Sequence, residues 1–340
     1  MAADRIVRVA ALACVLALGA AGCSAANRTS PARVSTSPGQ NTAEATGRAT
    51  TTPTTTSTQK KLKTPGIPAA TVHPRTGSVT KVLVFVEENH SLGQMRSDMP
   101  YAFGLARRFG YATGYQAVSH PSLPNYLAIA GGQTFGVTND DYPVANPVRG
   151  TSVFGQAVAS GRTAALYAEG MPRNCATDNG GANASASRYA VKHNPWAYFV
   201  NERAGCQKYD LPIGRLSGAI AQGTLPNVGM VIPNLCHDAH DCSLATADTW
   251  FKGWMTRIFA SPDWKSGHLA VVLTADEDDR SEGNTVLTVV IHPSQKAHVV
   301  TTLLTHYSLT RLYEEAAGLP FLSGAAKAPS MATAFGLPTQ

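Results

Sequence analysis

The stretch Lys81-Val82-Leu83-Val84-Phe85-Val86-Glu87-Glu88-Asn89-His90 couples a largely apolar run to an abruptly polar end. A strand with one wet face alternates apolar and polar residues. An unbroken β-branched run instead marks a strand covered on both faces, as in a parallel sheet flanked by helices. The same signature returns at 269–274, which leads into Asp276-Glu277-Asp278-Asp279, and at 227–232, which leads into Pro233-Asn234. It returns again at 286–291 and at 164–168. Helical stretches at 100–109, 126–130, 153–160, 248–259 and 308–317 lie between these runs. This alternation predicts an α/β sandwich around a central, mostly parallel sheet. No internal repeat is visible.

Two of the buried runs end in acids, Glu87-Glu88 and Asp276-Glu277. In open α/β sheets, ligands bind outside the carboxyl ends of the strands. If the two strands are neighbours, their acids converge, and a hard cation held by oxygen ligands relieves the repulsion. Polar loops after strands account equally for either cluster taken alone.

His120-Pro121-Ser122-Leu123-Pro124-Asn125 precedes the apolar run that starts at Tyr126. A serine at a helix start faces unpaired backbone N–H groups and the positive end of the helix dipole, where a phosphate can be cradled. A metal beside it would depress the hydroxyl pKa and activate the nucleophile. Asn125 can offer its amide to a phosphoryl oxygen, and Pro124 sits in the first turn without removing a needed donor. The plainer alternative is a serine that only caps the helix.

The rest of the 340-residue chain bounds the setting. Asp4, Arg5 and Arg8 precede an apolar run at 9–21 and small residues around Cys23, the pattern of an export signal over 1–23. That run is short of the roughly 20 residues that span a bilayer. Ala20-Ala21-Gly22-Cys23 also resembles a lipobox, whereas a site ending at Ala25 would suit plain secretion; both stay open. Residues 24–75 are rich in Thr, Ser and Pro and carry too little apolar surface to fold, so a disordered tether is expected there, with the folded domain over 76–340. The expected location is secreted or at the cell surface, with the membrane reached only through a lipid at Cys23. Cys175, Cys206, Cys236 and Cys242 follow the signal region, and an even count in an exported protein suggests two disulfides. Cys236–Cys242 with Cys175–Cys206 is the simplest of three pairings. The net charge of +6 lies mostly in the signal and tether, so it gives no reason to expect nucleic acid as a partner.

Four ordered segments resemble the motifs of the bacterial phosphoesterase family of acid phosphatases and phospholipases C. They are Val86-Glu87-Glu88-Asn89-His90, His120 to Ala128, Pro233-Asn234-Leu235-Cys236-His237-Asp238-Ala239-His240-Asp241 and Thr274-Ala275-Asp276-Glu277-Asp278-Asp279. Residues 131–136, the Lys192-His193-Asn194-Pro195-Trp196 box and His306-Tyr307-Ser308 support the likeness, which covers about 80–320. Within the family, the chain is most similar to secreted mycobacterial enzymes acting on phosphatidylinositol 3-phosphate.

The resemblance implies an alkaline-phosphatase-like fold and one divalent metal ion held by Glu88, Asn89, Ser122, Asp276 and Glu277. It implies Ser122 as nucleophile, His240 as proton donor to the leaving group, and His120, Asn125 and His193 as substrate-binding residues. His306 and Asn284 could serve the site or only the local chain turn, while Glu87 and Asp278 are expected at solvent or behind the ligands. Ala275 stands where the family usually has Trp, which puts substrate preference in doubt but not the ligands. The implied activity is hydrolysis of phosphomonoesters, a phospholipid headgroup among the candidates. A phosphodiesterase of phospholipase C type is the main rival, but those chains tend to carry extra C-terminal modules, whereas this one ends soon after Leu322. A non-catalytic binding lipoprotein is the other rival, and it is disfavoured by the intact residue set.

Overall fold

A computed structural model describes residues 77–180 and 184–339. The expected signal, lipobox and tether all lie outside the described residues. Among the described residues ten strands form: β1 (Lys81–Glu87), β2 (Gly110–Ala112), β3 (Tyr115–Gln116), β4 (Ala164–Ala168), β5 (Asp210–Pro212), β6 (Val228–Ile232), β7 (Leu269–Ala275), β8 (Thr288–Ile291), β9 (His298–Val300) and β10 (Leu304–Thr305). Eight of them make one sheet in the order β5-β4-β6-β1-β7-β8-β2-β9, and β10 pairs with β3 beside it.

The continuous apolar runs occupy the middle of this sheet. β1 is buried from Val82 to Glu87, and β4, β6 and β7 are buried throughout, because helices cover both faces. β1 pairs in parallel with β6 on one side and β7 on the other. The expectation of an α/β fold with a mostly parallel sheet holds. One run behaves differently: β8 lies antiparallel to β7, with Val272 opposite Val290. Only residues 276–287 join these two strands, and a parallel return needs a longer crossover that passes over the sheet.

The register of β1 and β7 places the site. Glu87 lies opposite Ala275, and the Asp276 N–H continues the ladder to the Glu87 carbonyl at 3.0 Å. Glu88 and Asp276 therefore leave the sheet side by side.

The helix expected from residue 126 starts earlier, spanning Ser122–Gly131, and every residue in it is buried. It packs on the helix His306–Ala317, whose Thr310 hydroxyl donates to the Ala128 carbonyl at 2.7 Å. Gly132 ends it in the left-handed region (φ 67°), where an added Cβ would come within 2.7 Å of the Leu322 carbonyl oxygen. The helix expected over 248–259 extends to Leu244–Ala260, capped by the Ser243 side chain. Both disulfides form as the simplest pairing has them, Cys175–Cys206 and Cys236–Cys242. Among the described residues, no helix is long and apolar enough to cross a membrane.

Candidate active site

Ser122 opens its helix, 1 % exposed, and its hydroxyl donates to Glu88 Oε2 at 3.0 Å. One turn later the Tyr126 hydroxyl donates to the other oxygen, Glu88 Oε1. Residues i and i+4 share a helix face, so one carboxylate is clamped by two hydroxyls of the same helix. His193 stacks on Tyr126 with ring centroids 5.1 Å apart. Its Nε2 lies 3.1 Å from Glu88 Oε2 and its Nδ1 lies 3.3 Å from Asp238 Oδ2. Burial alone would raise the Glu88 carboxyl, but the His193 charge and hydrogen bond, with Lys192 and Tyr126, hold it at about 2. Burial pulls His193 down in turn, and the two carboxylates outweigh it and lift the imidazole to about 9.

The second acidic cluster completes the site. Asp276 Oδ1 accepts from the backbone N–H of Asn89 at 3.1 Å and of Glu277 at 2.7 Å. Asn89 reaches this position through a left-handed backbone turn (φ 55°) directly after β1. Asp276 Oδ2 is buried with no partner. Burial raises the Asp276 carboxyl, and the charges of Glu88 and Glu277 raise it further. Burial also raises Glu277, against the hydrogen bond and charge of His120, and the charges of Glu88 and Asp140 add to the rise. An ionised Glu88 thus disfavours ionisation of Asp276 and Glu277, and the three carboxylates stand with the Ser122 hydroxyl and Asn89 in one oxygen-rich cluster that contains a buried orphan oxygen. An oxygen-rich cluster of this kind suits a hard cation, and among the described residues Glu88, His193 and Asp238 bring their donor atoms close enough together to share one ion.

The remaining expected residues surround this cluster. His120 bridges Glu277 Oε1 and Asp278 Oδ1, at 3.2 Å and 3.4 Å. Asn125 donates to Glu277 Oε2 at 3.0 Å and to the Ser119 carbonyl at 2.9 Å, while its own oxygen accepts from the Val118 and Ser119 N–H groups. In this geometry its amide is committed to the loop before Ser122 and to Glu277. His240 is exposed, its ring centroid 6.0 Å from that of His193, with Nδ1 at 2.8 Å from Asp241 Oδ1. Both His193 ring nitrogens face carboxylates.

Glu87 and Asp278 are not at solvent, being 0 % and 2 % exposed. Asp278 accepts from the backbone N–H groups of Arg280, Glu282 and Asn284, and so shapes the loop after β7. Asn284 donates to the Ser119 carbonyl at 2.9 Å, tying that loop to the one before Ser122. His306 is the first residue of its helix. Fully buried, it is pushed down to about 4 by desolvation. The neutral ring donates from Nε2 to the Asp276 carbonyl at 2.6 Å and accepts at Nδ1 from the Tyr115 hydroxyl at 3.0 Å.

Sequence reasoning missed two residues next to Ser122. Lys192 Nζ lies 3.4 Å from Ser122 Oγ and 3.1 Å from Asp140 Oδ2. Asp140 Oδ1 in turn accepts from the Leu123 N–H at 2.9 Å. Lys192 stood inside a motif whose histidine drew attention, and Asp140 lies in a loop with no distinguishing pattern.

The Phosphoesterase family model matches residues 84–320, which run from β1 through the helix that follows β10. The chain belongs to the Phosphoesterase family. It is 31% identical over 261 residues to the phosphatidylinositol-3-phosphatase of Mycobacterium tuberculosis, covering 75% of this chain and 82% of that protein. It is 29% identical over 225 residues to the phosphate-repressible acid phosphatase of Penicillium chrysogenum, covering 64% of this chain and 54% of that longer protein. Among solved structures, a protein of the alkaline phosphatase superfamily from Vibrio parahaemolyticus superposes with a TM-score of 0.51 at 10% identity, over 72% of this chain and 68% of that one. The lipoteichoic acid synthase LtaP of Listeria monocytogenes superposes with a TM-score of 0.50, also at 10% identity, over 74% and 77%. At such identities these neighbours speak for the fold, which is alkaline-phosphatase-like. Family membership makes the phosphoesterase a hydrolase of phosphoric esters.

Proposed function

We propose that this phosphoesterase is an exported, metal-dependent acid phosphatase that hydrolyses phosphomonoesters through Ser122. The observation that carries the reading is the Ser122 hydroxyl at a buried helix start, 3.0 Å from Glu88 in a cluster of oxygen ligands. Glu88, Asn89, Ser122, Asp276 and Glu277 would hold one divalent cation, which when bound supplies Lewis acidity to the hydroxyl and to phosphoryl oxygens. The Ser122 hydroxyl gives its proton to Glu88, the carboxylate it already donates to, as its oxygen bonds to phosphorus and the bond to the ester oxygen breaks. The positive end of the helix dipole faces the developing charge, while the Leu123 N–H is committed to Asp140 and Pro124 has none. His240 protonates the departing alcohol, and water then releases phosphate from Ser122. Histidine both binds phosphate and donates protons on the acid side of its titration, which suits an enzyme of acid pH. His120 and Asn125 keep Glu277 in place beside the reacting group, and His193 does the same for Glu88.

Monoester specificity is supported by the relatives named above, both of them phosphatases, and a phosphoinositide headgroup by the name of the mycobacterial one. Two disulfides support an oxidising compartment, with residues 1–23 as signal, 24–75 as tether and Cys23 as a lipid attachment point in the anchored form. The test compares p-nitrophenyl phosphate with bis-p-nitrophenyl phosphate between about pH 4 and 9, a range that spans histidine titration. The metal-supplied wild type should prefer the monoester in acid. Ser122→Ala should lose several orders of magnitude in kcat while staying folded. A diester preference would replace the monoesterase by phospholipase C chemistry, and a Ser122→Ala variant keeping more than about a tenth of turnover would remove the nucleophile.

A further inference from the structure

Beside the nucleophile stands a cation that the carried-over site does not include. Lys192 Nζ sits 3.4 Å from Ser122 Oγ, on a short helical turn that also carries His193. It is held there by Asp140, whose Oδ2 lies 3.1 Å from the ammonium and whose Oδ1 accepts the Leu123 N–H at 2.9 Å. One carboxylate thus fixes the ammonium to the first turn of the very helix that presents the serine. Glu88 contacts the same hydroxyl through Oε2, so the serine oxygen lies between an anion that accepts its proton and a cation that faces its lone pairs.

We propose that Lys192 is a catalytic residue of this phosphoesterase: its ammonium holds the phosphoryl oxygens at the Ser122 oxygen during transfer, and Asp140 positions it. The inference rests on Ser122 being the attacking oxygen. Lysine is a point charge with three donors on a flexible stem, suited to following a phosphoryl group as it moves from the ester oxygen to the serine. No proton passes through it. As the bond from Ser122 Oγ to phosphorus forms and the bond to the ester oxygen breaks, the ammonium keeps its hydrogens and offsets the charge on the equatorial oxygens. Such charge stabilisation is where phosphoryl-transfer enzymes gain most of their rate. Asp140 touches no reacting atom; it acts by keeping the lysine from swinging toward solvent.

The experiment measures kcat, KM and inhibition by inorganic phosphate for Lys192→Met, Lys192→Arg and Asp140→Asn on p-nitrophenyl phosphate, with Ser122→Ala alongside and melting temperatures for each. Lys192→Met should lower kcat/KM by about 100-fold or more, in the range of a lost oxyanion donor, and weaken phosphate inhibition by at least about tenfold. Lys192→Arg should restore part of both, because the charge returns in a different shape. Asp140→Asn should fall between wild type and Lys192→Met. If Lys192→Met does not fold, Lys192→Gln decides by the same comparison. Turnover and phosphate inhibition within about threefold of wild type would overturn the role of Lys192. So would a loss of activity that leaves phosphate inhibition unchanged or that arginine does not relieve at all. A normal loss in Ser122→Ala beside an active Lys192→Met removes the lysine alone, whereas an active Ser122→Ala removes the nucleophile first.

Discussion

Asp210 is buried, with one carboxylate oxygen on the Asn194 amide at 2.8 Å and the other without a partner. Desolvation lifts its carboxyl to about 7, against the opposing pulls of Asn194 and Arg203. Because the folded value lies above the unfolded one, its contribution to stability is fully present below about pH 4 and is lost as pH rises to about 7. The loss is on the order of 4 kcal/mol at most, from about three pKa units. Asp210→Asn should therefore melt close to wild type near pH 4 and several degrees above it at pH 8, by thermal unfolding at both pH values. A difference independent of pH would show that the carboxyl titrates like an exposed one.

Other residues show how far a side chain can be read in advance. Glu88 and Asp276 were legible because each follows an apolar run, and Ser122 because it stands just ahead of one; chain order alone says where a strand or helix begins and ends. Lys192 and Asp140 were not. Their importance is a matter of reach across 52 residues of separation, which no local pattern encodes. Asn125 was legible as a polar residue of the first turn, but its commitment to Glu277 and to the loop before Ser122 depends on a register that only the folded chain sets.

At the scale of elements, the strand runs read well because burial on both faces removes the alternation that would otherwise blur them. The antiparallel course of β8 was hidden, since a buried run looks the same in either direction. The three-residue strands β2, β5 and β9 were hidden for a different reason: pieces so short carry no period. The disulfides divide their labour by loop length and by what each loop carries. Cys236–Cys242 closes a loop of six-residue separation that holds Asp238 and His240, with the Asp238 carbonyl accepting the Glu88 N–H at 2.8 Å. Cys175–Cys206 closes a separation of 31 residues and touches none of the proposed ligands. Chain-entropy arguments give the short loop on the order of 2 kcal/mol and the long one nearer 4 kcal/mol. Replacing both cysteines of the short loop by serine should lower kcat/KM by about tenfold, as for a displaced catalytic support, with a modest drop in melting temperature. The same change in the long loop should lower the melting temperature more and kcat/KM less. The reverse ranking would show that the 236–242 loop is held by its hydrogen bonds alone.

On the scale of the whole molecule, one register gathers the site. β1 and β7 run side by side, so the polar residues after each arrive together at the carboxyl edge of the sheet. The helix Ser122–Gly131 lies buried against that edge and delivers its first residue to them. Lys192, His193 and Asp238 close the ring from connections elsewhere in the chain. The central claim of this account is that the phosphoryl group passes through the Ser122 oxygen. The most direct measurement mixes metal-supplied enzyme with p-nitrophenyl phosphate and quenches within milliseconds, in acid and separately in alkali, so that neither phosphoserine nor phosphohistidine is lost. The digested protein is then mapped by mass spectrometry. Phosphate on the peptide bearing Ser122, localised to that serine, is the predicted result. Phosphate on a histidine, or on no residue while turnover proceeds, would contradict it.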